Sequence, residues 1–187
     1  YAFSECLHLK KVEIPTNSNL QIIEKNAFSN SNIKEIIIPA NVSKICEYAF
    51  SECLHLKKVE IPTNSNLQII EKNAFSNSNI EEIIIPANVS KICEYAFSNC
   101  SKLKKVIIPP DSKLQIIENN AFSNSNIEAI FLPNISEINE NAFYGSQNLL
   151  IIEISEESKL QSLSLRCFRS CPKVIIMIPP SLKINFK

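Results

Sequence analysis

The chain has 187 residues, a formal net charge of zero, 45% hydrophobic residues and 20% charged residues. That profile excludes a disordered chain, and the balanced charge argues against nucleic acid as a main partner. No apolar run reaches the roughly 18 residues a spanning helix needs, so no membrane insertion is expected within this segment. The single glycine, Gly145, excludes the glycine-rich loops that cradle phosphates.

Tyr1 opens in mid-repeat without an initiator Met, so an excised piece of a longer protein is expected. The first element is Leu9-Lys10-Lys11-Val12-Glu13-Ile14, whose β-branched residues and alternation predict a strand. Pro15 ends it, because proline cannot donate to a ladder. A polar stretch follows, Thr16-Asn17-Ser18-Asn19. Next come a short apolar segment, Leu20-Gln21-Ile22-Ile23, and a predicted helical turn from Glu24 to Phe28. The whole unit then recurs. Residues 1–51 and 48–98 are the same text at a 47-residue offset, apart from Lys34 becoming Glu81. Each 47-residue unit is itself a pair. The Ala-Phe dipeptide marks Phe3, Phe28, Phe50, Phe75, Phe97, Phe122 and Phe143, and Phe168 follows Cys167. The steps alternate between 25 and 22 residues, with one of 21. The alternation is read as a shortened polar stretch in alternate pieces, Ala40 to Ile45. An aliphatic-Pro marker runs at Pro15, Pro39, Pro62, Pro86, Pro109 and Pro133. It is interrupted at Ile154-Ser155, and Pro179 reads as one residue out of register.

Repeats of about 20–50 residues are the signature of stacked arrays. One piece cannot bury its own apolar side. Stacking gives a continuous parallel sheet, a buried file of phenylalanines, and buried columns of Leu9, Val12, Ile14 and their copies. The abundance of Asn, Ser, Ile and Lys is read as codon bias.

The spacing Leu9-x-x-Val12-x-Ile14 resembles the leucine-rich-repeat strand motif. The longer pattern, Ala-Phe-Ser-x-Cys-x-x-Leu, then Val-x-Ile-Pro, then Val-x-x-Ile-x-x-x-Ala-Phe, resembles the BspA-like class of these repeats, as at 49–61 and 89–109. The doublet with Ser-Asn-Ser-Asn in alternate units is similar to the protist members. The usual Ile-Gly step is missing: Cys46, Cys93 or Glu24 stands there. Residues 171–187 also drift from the pattern. The resemblance implies an α/β repeat solenoid, mostly β: a leucine-rich-repeat array with a concave parallel sheet and short helical turns. It is expected to be a single domain over 1–187, with about seven to eight repeats of 22–25 residues. The resemblance further implies a surface antigen of the kind that binds host matrix or plasma proteins in adhesion, with no catalytic residues and no cofactor.

Alternation within the strands places two columns of side chains away from the core. The first reads Lys11, Glu35, Lys58, Glu82, Lys105, Ala129, Ile151. Its alternating signs predict a ladder of opposite-charge neighbours. The second reads Glu13, Ile37, Glu60, Ile84, Ile107, Phe131, Glu153. Ile84, Ile107 and Phe131, with Ala129 and Ile151 beside them, form an apolar patch with Lys58, Glu82 and Lys105 as polar neighbours. Apolar patches rimmed by charge mark binding sites, and packing against a neighbouring cap is the rival explanation.

The seven cysteines, Cys6, Cys46, Cys53, Cys93, Cys100, Cys167 and Cys171, are read as small buried thiols. Copies two rungs apart lie beyond disulfide reach, no Cys-x-x-Cys suggests zinc, and Cys167–Cys171 is the one local pair left open. His8 and His55 are duplicates of each other and read as surface residues. Asn41, Asn88, Asn99 and Asn134 head glycosylation sequons, which carry weight only in a secreted protein with exposed loops. The expectation is a non-enzymatic protein-binding scaffold at the cell surface or outside the cell. An intracellular interaction module, favoured by the odd thiol count, and a structural spacer, favoured by near-identical repeats, stay open as alternatives.

Overall fold

A computed structural model describes all residues, 1–187. Strands form at two places in the inner rungs rather than one, so the rungs stack as two parallel sheets, whereas the strand expected over Leu9–Ile14 does not form in the outermost rung, which has a neighbour on one side only. The front sheet has seven strands: Glu35–Ile37, Lys58–Glu60, Glu82–Ile84, Lys105–Ile107, Ala129–Leu132, Ile151–Ile154 and Ile175–Met177. The back sheet has six two-residue strands, from Ile22–Ile23 to Glu137–Ile138. Ser162–Leu163 pairs with Asn185–Phe186 at the C-terminal end. Every pairing is parallel, and neighbours in a sheet are alternate strands in the chain, so each turn of the solenoid supplies one strand to each sheet. The second sheet was missed in the sequence because its strands are too short to show alternation. Ile22-Ile23 and Lys44-Ile45 read only as apolar pairs.

The Ala-Phe turns differ from the helical turns expected, and the hydrogen bonds give the reason. In the rung around Phe28, the N–H groups of Ala27, Ser29 and Ser31 donate back within the turn, to Glu24, Asn26 and Phe28. Those of Asn26, Phe28 and Asn30 instead donate to Glu47, Ala49 and Ser51 of the next rung. Alternate amides therefore point along the stack, and no helical ladder forms. This geometry needs left-handed backbone two residues before and two residues after each phenylalanine. Asn26, Asn30, Asn73, Asn77, Asn99, Asn120, Asn124 and Asn141 all have positive φ. Asparagine tolerates that region better than other side chains, so these eight asparagines have a structural reason for their positions. The lone glycine, Gly145, stands at one of these positions with φ 69°. Tyr48, Tyr95, Glu5 and Glu52 also adopt positive φ, at a cost of about 1 kcal/mol each. The one helix is the 3₁₀ turn Leu165–Phe168, in the rung where Arg166 is not left-handed.

The phenylalanines form the expected file. Consecutive rings from Phe3 to Phe143 are stacked at centroid separations of 5.1–5.5 Å, and Phe143–Phe168 closes the file at 5.8 Å. Phe50, Phe75, Phe97, Phe122 and Phe143 are fully buried. Leu56, Val59 and Ile61 are buried, whereas their copies Leu9, Val12 and Ile14 are only partly covered in the outermost rung. The 25/22 alternation is divided between two loops rather than one. The polar turn runs from Pro15 to Leu20 in one piece and from Pro39 to Val42 in the other. The loop after the phenylalanine also loses a residue, Phe3 to Leu9 against Phe28 to Ile33. Core residues hold their places while the loops between them change length. Pro179 is also in register. Ile151 pairs with Ile175 and Glu153 with Met177, and the same offset sets Pro179 beside Ser155.

All seven cysteines are free. Cys53 and Cys100 belong to a buried column that serine fills in alternate rungs. Their thiols donate to the carbonyls of Phe28 and Phe75 at 3.1 Å, and Ser146 makes the equivalent bond to Phe122 at 3.0 Å. Cys6 alone is half-buried, in the outermost rung. On the back, the Glu71 carboxylate binds Lys44 at 2.7 Å and accepts the Glu47 N–H at 3.1 Å, and Glu118 repeats this with Lys91 and Glu94. Lys25–Glu47 and Lys72–Glu94 add cross-rung pairs below the tyrosines.

Two outcomes are expected. Phe75→Ala leaves a void between two rings and destabilises the stack by about 3–5 kcal/mol in denaturant unfolding. Burial pushes the Cys100 thiol from its ordinary 9.0 up to about 12 and raises Cys53 as well. A thiol that ionises more readily in the unfolded chain stabilises the fold fully below pH 9.0 and progressively less as pH rises towards its folded value. Wild-type stability therefore falls with alkalinity above that point. The double variant Cys53→Ser, Cys100→Ser, with serine already at home in the column, keeps its neutral-pH stability and has a flatter alkaline limb in thermal melts.

Candidate functional site: the outward face of the front sheet

Six of the seven front strands bury an inward residue (Ile36, Val59, Ile83, Val106, Ile130 and Ile152) and turn the residues on either side of it outwards, and in the terminal strand Ile176 is half-buried. The register fixes the outward columns. Glu35 stands beside Lys58, Lys58 beside Glu82, Glu82 beside Lys105, Lys105 beside Ala129, and Ala129 beside Ile151. In the second column Ile37 stands beside Glu60, Ile84 beside Ile107, and Phe131 beside Glu153. The structure thus brings Lys58, Glu82, Lys105, Ile84, Ile107, Phe131, Ala129 and Ile151 onto one continuous face.

The charge ladder forms only in part. Lys105 reaches across to Glu82 at 3.6 Å. Lys11 instead turns to Glu13 of its own rung at 2.7 Å, and Lys58 turns to Glu60 of its own strand. Residues two apart share a face at about 6.6 Å, within the span of two long side chains, so a lysine whose own rung carries a glutamate has a second partner that competes with the next rung. Lys105 lacks one, because Ile107 stands where Glu13 and Glu60 stand, and it reaches across. These bonds raise the Lys11 and Lys58 ammonium groups above the usual lysine range, chiefly through the hydrogen bonds to Glu13 and Glu60, and Lys11 holds the Glu13 carboxyl below the usual carboxylate range. Glu35 forms no ion pair. Lys57 and Glu81 pair across rungs at 3.7 Å just beside the face.

The apolar half begins at Ile84. Ile84 and Ile151 each expose 39% of their surface, while Ile107 and Phe131 are half-buried. The patch runs further than the sequence suggested: Ile175 and Met177 extend it by a rung, exposing 63% and 50%. They were missed because Pro179 was placed out of register, which hid the last front strand. Ile37, exposed at 45%, is an isolated apolar residue among charges. A depression of about 650 Å³ opens between Phe131, Glu153 and Met177. Two more, of about 590 and 830 Å³, lie along the charged half at Glu35 and at Glu82.

The sequon residues lie elsewhere. The side-chain amides of Asn41, Asn88 and Asn134 donate to the carbonyls of Ser18, Ser65 and Ser112 in the preceding rung at 2.8, 3.0 and 2.6 Å. A glycan on those nitrogens would crowd the neighbouring turn. Asn99 is exposed, and its carbonyl oxygen accepts from Asn124 at 3.0 Å. His8 and His55 are exposed. No helix is long and apolar enough to cross a membrane.

The pattern described as BspA type Leucine rich repeat region matches the chain in six copies, over residues 1–104 and 68–185. No curated protein matches the sequence. Among solved structures, the chain is similar to a leucine-rich repeat protein from Bacteroides ovatus ATCC 8483. The identity is 25% and the TM-score 0.76, covering 99% of this chain and 52% of that one. It shares its fold with the pneumococcal vaccine antigen PcpA at 22% identity and a TM-score of 0.65, covering 87% of this chain and 57% of that one. The chain spans a little over half the length of these structures.

Reversing one charge tests the register on this face. Glu82→Lys places three ammonium groups in line at Lys58, position 82 and Lys105. The expected loss is about 0.5–1 kcal/mol, read in thermal melts at low salt and largely abolished at about 1 M salt.

Proposed function

The chain belongs to the BspA-type leucine-rich-repeat family, a non-enzymatic repeat scaffold built for protein binding, and from that premise we propose that residues 1–187 act as one adhesive array at the cell surface or outside the cell. Its ligand is a host extracellular-matrix or plasma protein. One observation carries the reading: Ile84, Ile107, Phe131, Ala129 and Ile151 form an uninterrupted apolar patch on the outward face, bounded by Glu82, Lys105 and Glu153. Nothing in the fold covers it, and it lies on the rigid part of the rungs. Ile107 and Phe131 are the anchors, since half-buried side chains are already ordered and lose little entropy on contact. The charged neighbours Lys58, Glu82 and Lys105 set orientation and encounter rate more than affinity. No chemistry is assigned to the face, and it needs no cofactor.

A second reading, an intracellular interaction module, draws on the seven free thiols, since oxidising compartments favour paired cysteines. It uses the same face and differs in the partner.

The test is binding of the purified chain to immobilised plasma and extracellular-matrix proteins, measured alongside Ile107→Ser, Phe131→Ser and Asn66→Ala on another side of the solenoid. Removing the anchors weakens capture at least tenfold, as hot-spot truncations do, while Asn66→Ala binds as wild type. Equal binding by all the proteins overturns the patch as the site.

A further inference from the structure

We propose that the occupant of this face is an amphipathic α-helix laid along the array axis, one helical turn to each rung. This rests on the protein-binding reading and names the shape and charge pattern of the element recognised.

Three observations carry it. The first is spacing. Outward side chains repeat once per strand, about 4.8 Å apart. An α-helix rises about 5.4 Å per turn, so its stripe of i, i+3, i+4, i+7 side chains meets the rungs one for one. The drift is about 0.6 Å per rung, which long Lys and Glu side chains absorb over the charged half. Same-face side chains of an extended segment repeat about every 6.6 Å and lose step within two rungs. A segment crossing the face as an added strand finds no free backbone partners, because the front strands already bond to one another along the stack.

The second is width. Most front strands have three residues, of which two point outwards. The two columns lie about 6.6 Å apart, and a helix with side chains is about 10–12 Å across. A strip that narrow, about 38 Å long over eight rungs, falls well short of the roughly 800 Å² per partner of a standard protein interface. It suits a single helix better than a second copy of this chain.

The third is charge. Down the outward column Lys11, Glu35, Lys58, Glu82, Lys105 the sign alternates, but Glu13 and Glu60 neutralise Lys11 and Lys58 within their own rungs, which leaves Glu35, Glu82 and Lys105 as the open charges. Glu35 has no ion pair within the chain, and the Glu82–Lys105 contact is long, at 3.6 Å. A complementary helix presents a base opposite Glu35, a second base two turns on opposite Glu82, and an acid one turn further opposite Lys105. It then turns apolar towards Ala129, Phe131 and Ile151. A uniformly acidic helix meets like charge at Glu35 and Glu82, and a uniformly basic one at Lys105.

Three synthetic peptides of about 24 residues test this by fluorescence anisotropy, with helicity followed by circular dichroism. The matched peptide carries two lysines two turns apart, a glutamate one turn beyond the second, then leucines on the same face. The second exchanges those signs, and the third has prolines inserted on the face turned away from the array. The matched peptide is expected to bind at micromolar concentration and gain helicity. The sign-exchanged peptide should bind at least tenfold more weakly, the proline peptide should not bind, and Ile107→Ser, Phe131→Ser should release the matched peptide. Equal binding of all three, tighter binding of the proline peptide, or self-association of the chain that the two serines abolish overturns the helix as occupant. If no peptide binds while plasma or matrix capture still depends on Ile107 and Phe131, the helix falls and the binding face stands. If capture is indifferent to those residues, the binding face falls with it.

Discussion

The fold depends on amides that point along the stack rather than around it. In each Ala-Phe turn, alternate N–H groups donate to the next rung, as Asn26, Phe28 and Asn30 do to Glu47, Ala49 and Ser51. These groups are obligatory donors, and within one isolated rung they have no partner. A single rung is therefore unsatisfied as well as unable to bury its apolar side, and stacking answers both needs at once. The phenylalanine file follows. Once amides lock neighbouring turns in register, each ring lies over the one before it at 5.1–5.2 Å through most of the array.

That lock determines what the front face can present. Register is set by the turns and the buried columns, so the outward side chains are free to vary without altering the fold. The rungs use this freedom unevenly. From Lys11 to Glu82 the face carries mixed charge, and from Ile84 onward it carries Ile107, Phe131, Ile151, Ile175 and Met177. The least exposed ion pairs lie on the opposite side, where Glu71 and Glu118 each tie a lysine and a backbone amide. On the front, Lys11 and Lys58 are held by Glu13 and Glu60, Glu35 is unpaired, and Glu82 meets Lys105 at 3.6 Å.

The sequence made the period, the phenylalanine file, the core columns and both outward columns legible, because each repeats many times at a spacing that only stacking explains. It concealed what appears once or briefly. The back strands have two residues each, too few to alternate visibly. The turns read as helical because Glu24 to Phe28 has helix-compatible composition. The contrary signal, asparagine two residues before and after phenylalanine in alternate rungs at Phe28, Phe75 and Phe122, lay in plain view but was ascribed to codon usage. Lysine partners were assigned by rung-to-rung distance, without weighing that Glu13 and Glu60 on the lysines' own rungs share the same face and lie within reach. Ile175 and Met177 were lost to one misplaced proline.

Near-identity of the repeats poses its own difficulty for recognition. Rungs copied at 47 residues offer a ligand the same charged surface twice, and a partner reading charge alone could sit in two registers. The apolar half removes that degeneracy. Ile107 stands where Glu13 and Glu60 stand in the equivalent earlier rungs, and Phe131 where Ile37 and Ile84 stand, so an aromatic anchor exists at one height only. The single difference between the copies works in the same direction. Lys34 lies between Lys10 and Lys57, whereas Glu81 lies between Lys57 and Lys104 and pairs with Lys57. That exchange relieves a run of like charge on the rungs leading into the apolar patch. A repetitive scaffold thus acquires a unique docking position through a few outward substitutions that leave every buried column unchanged.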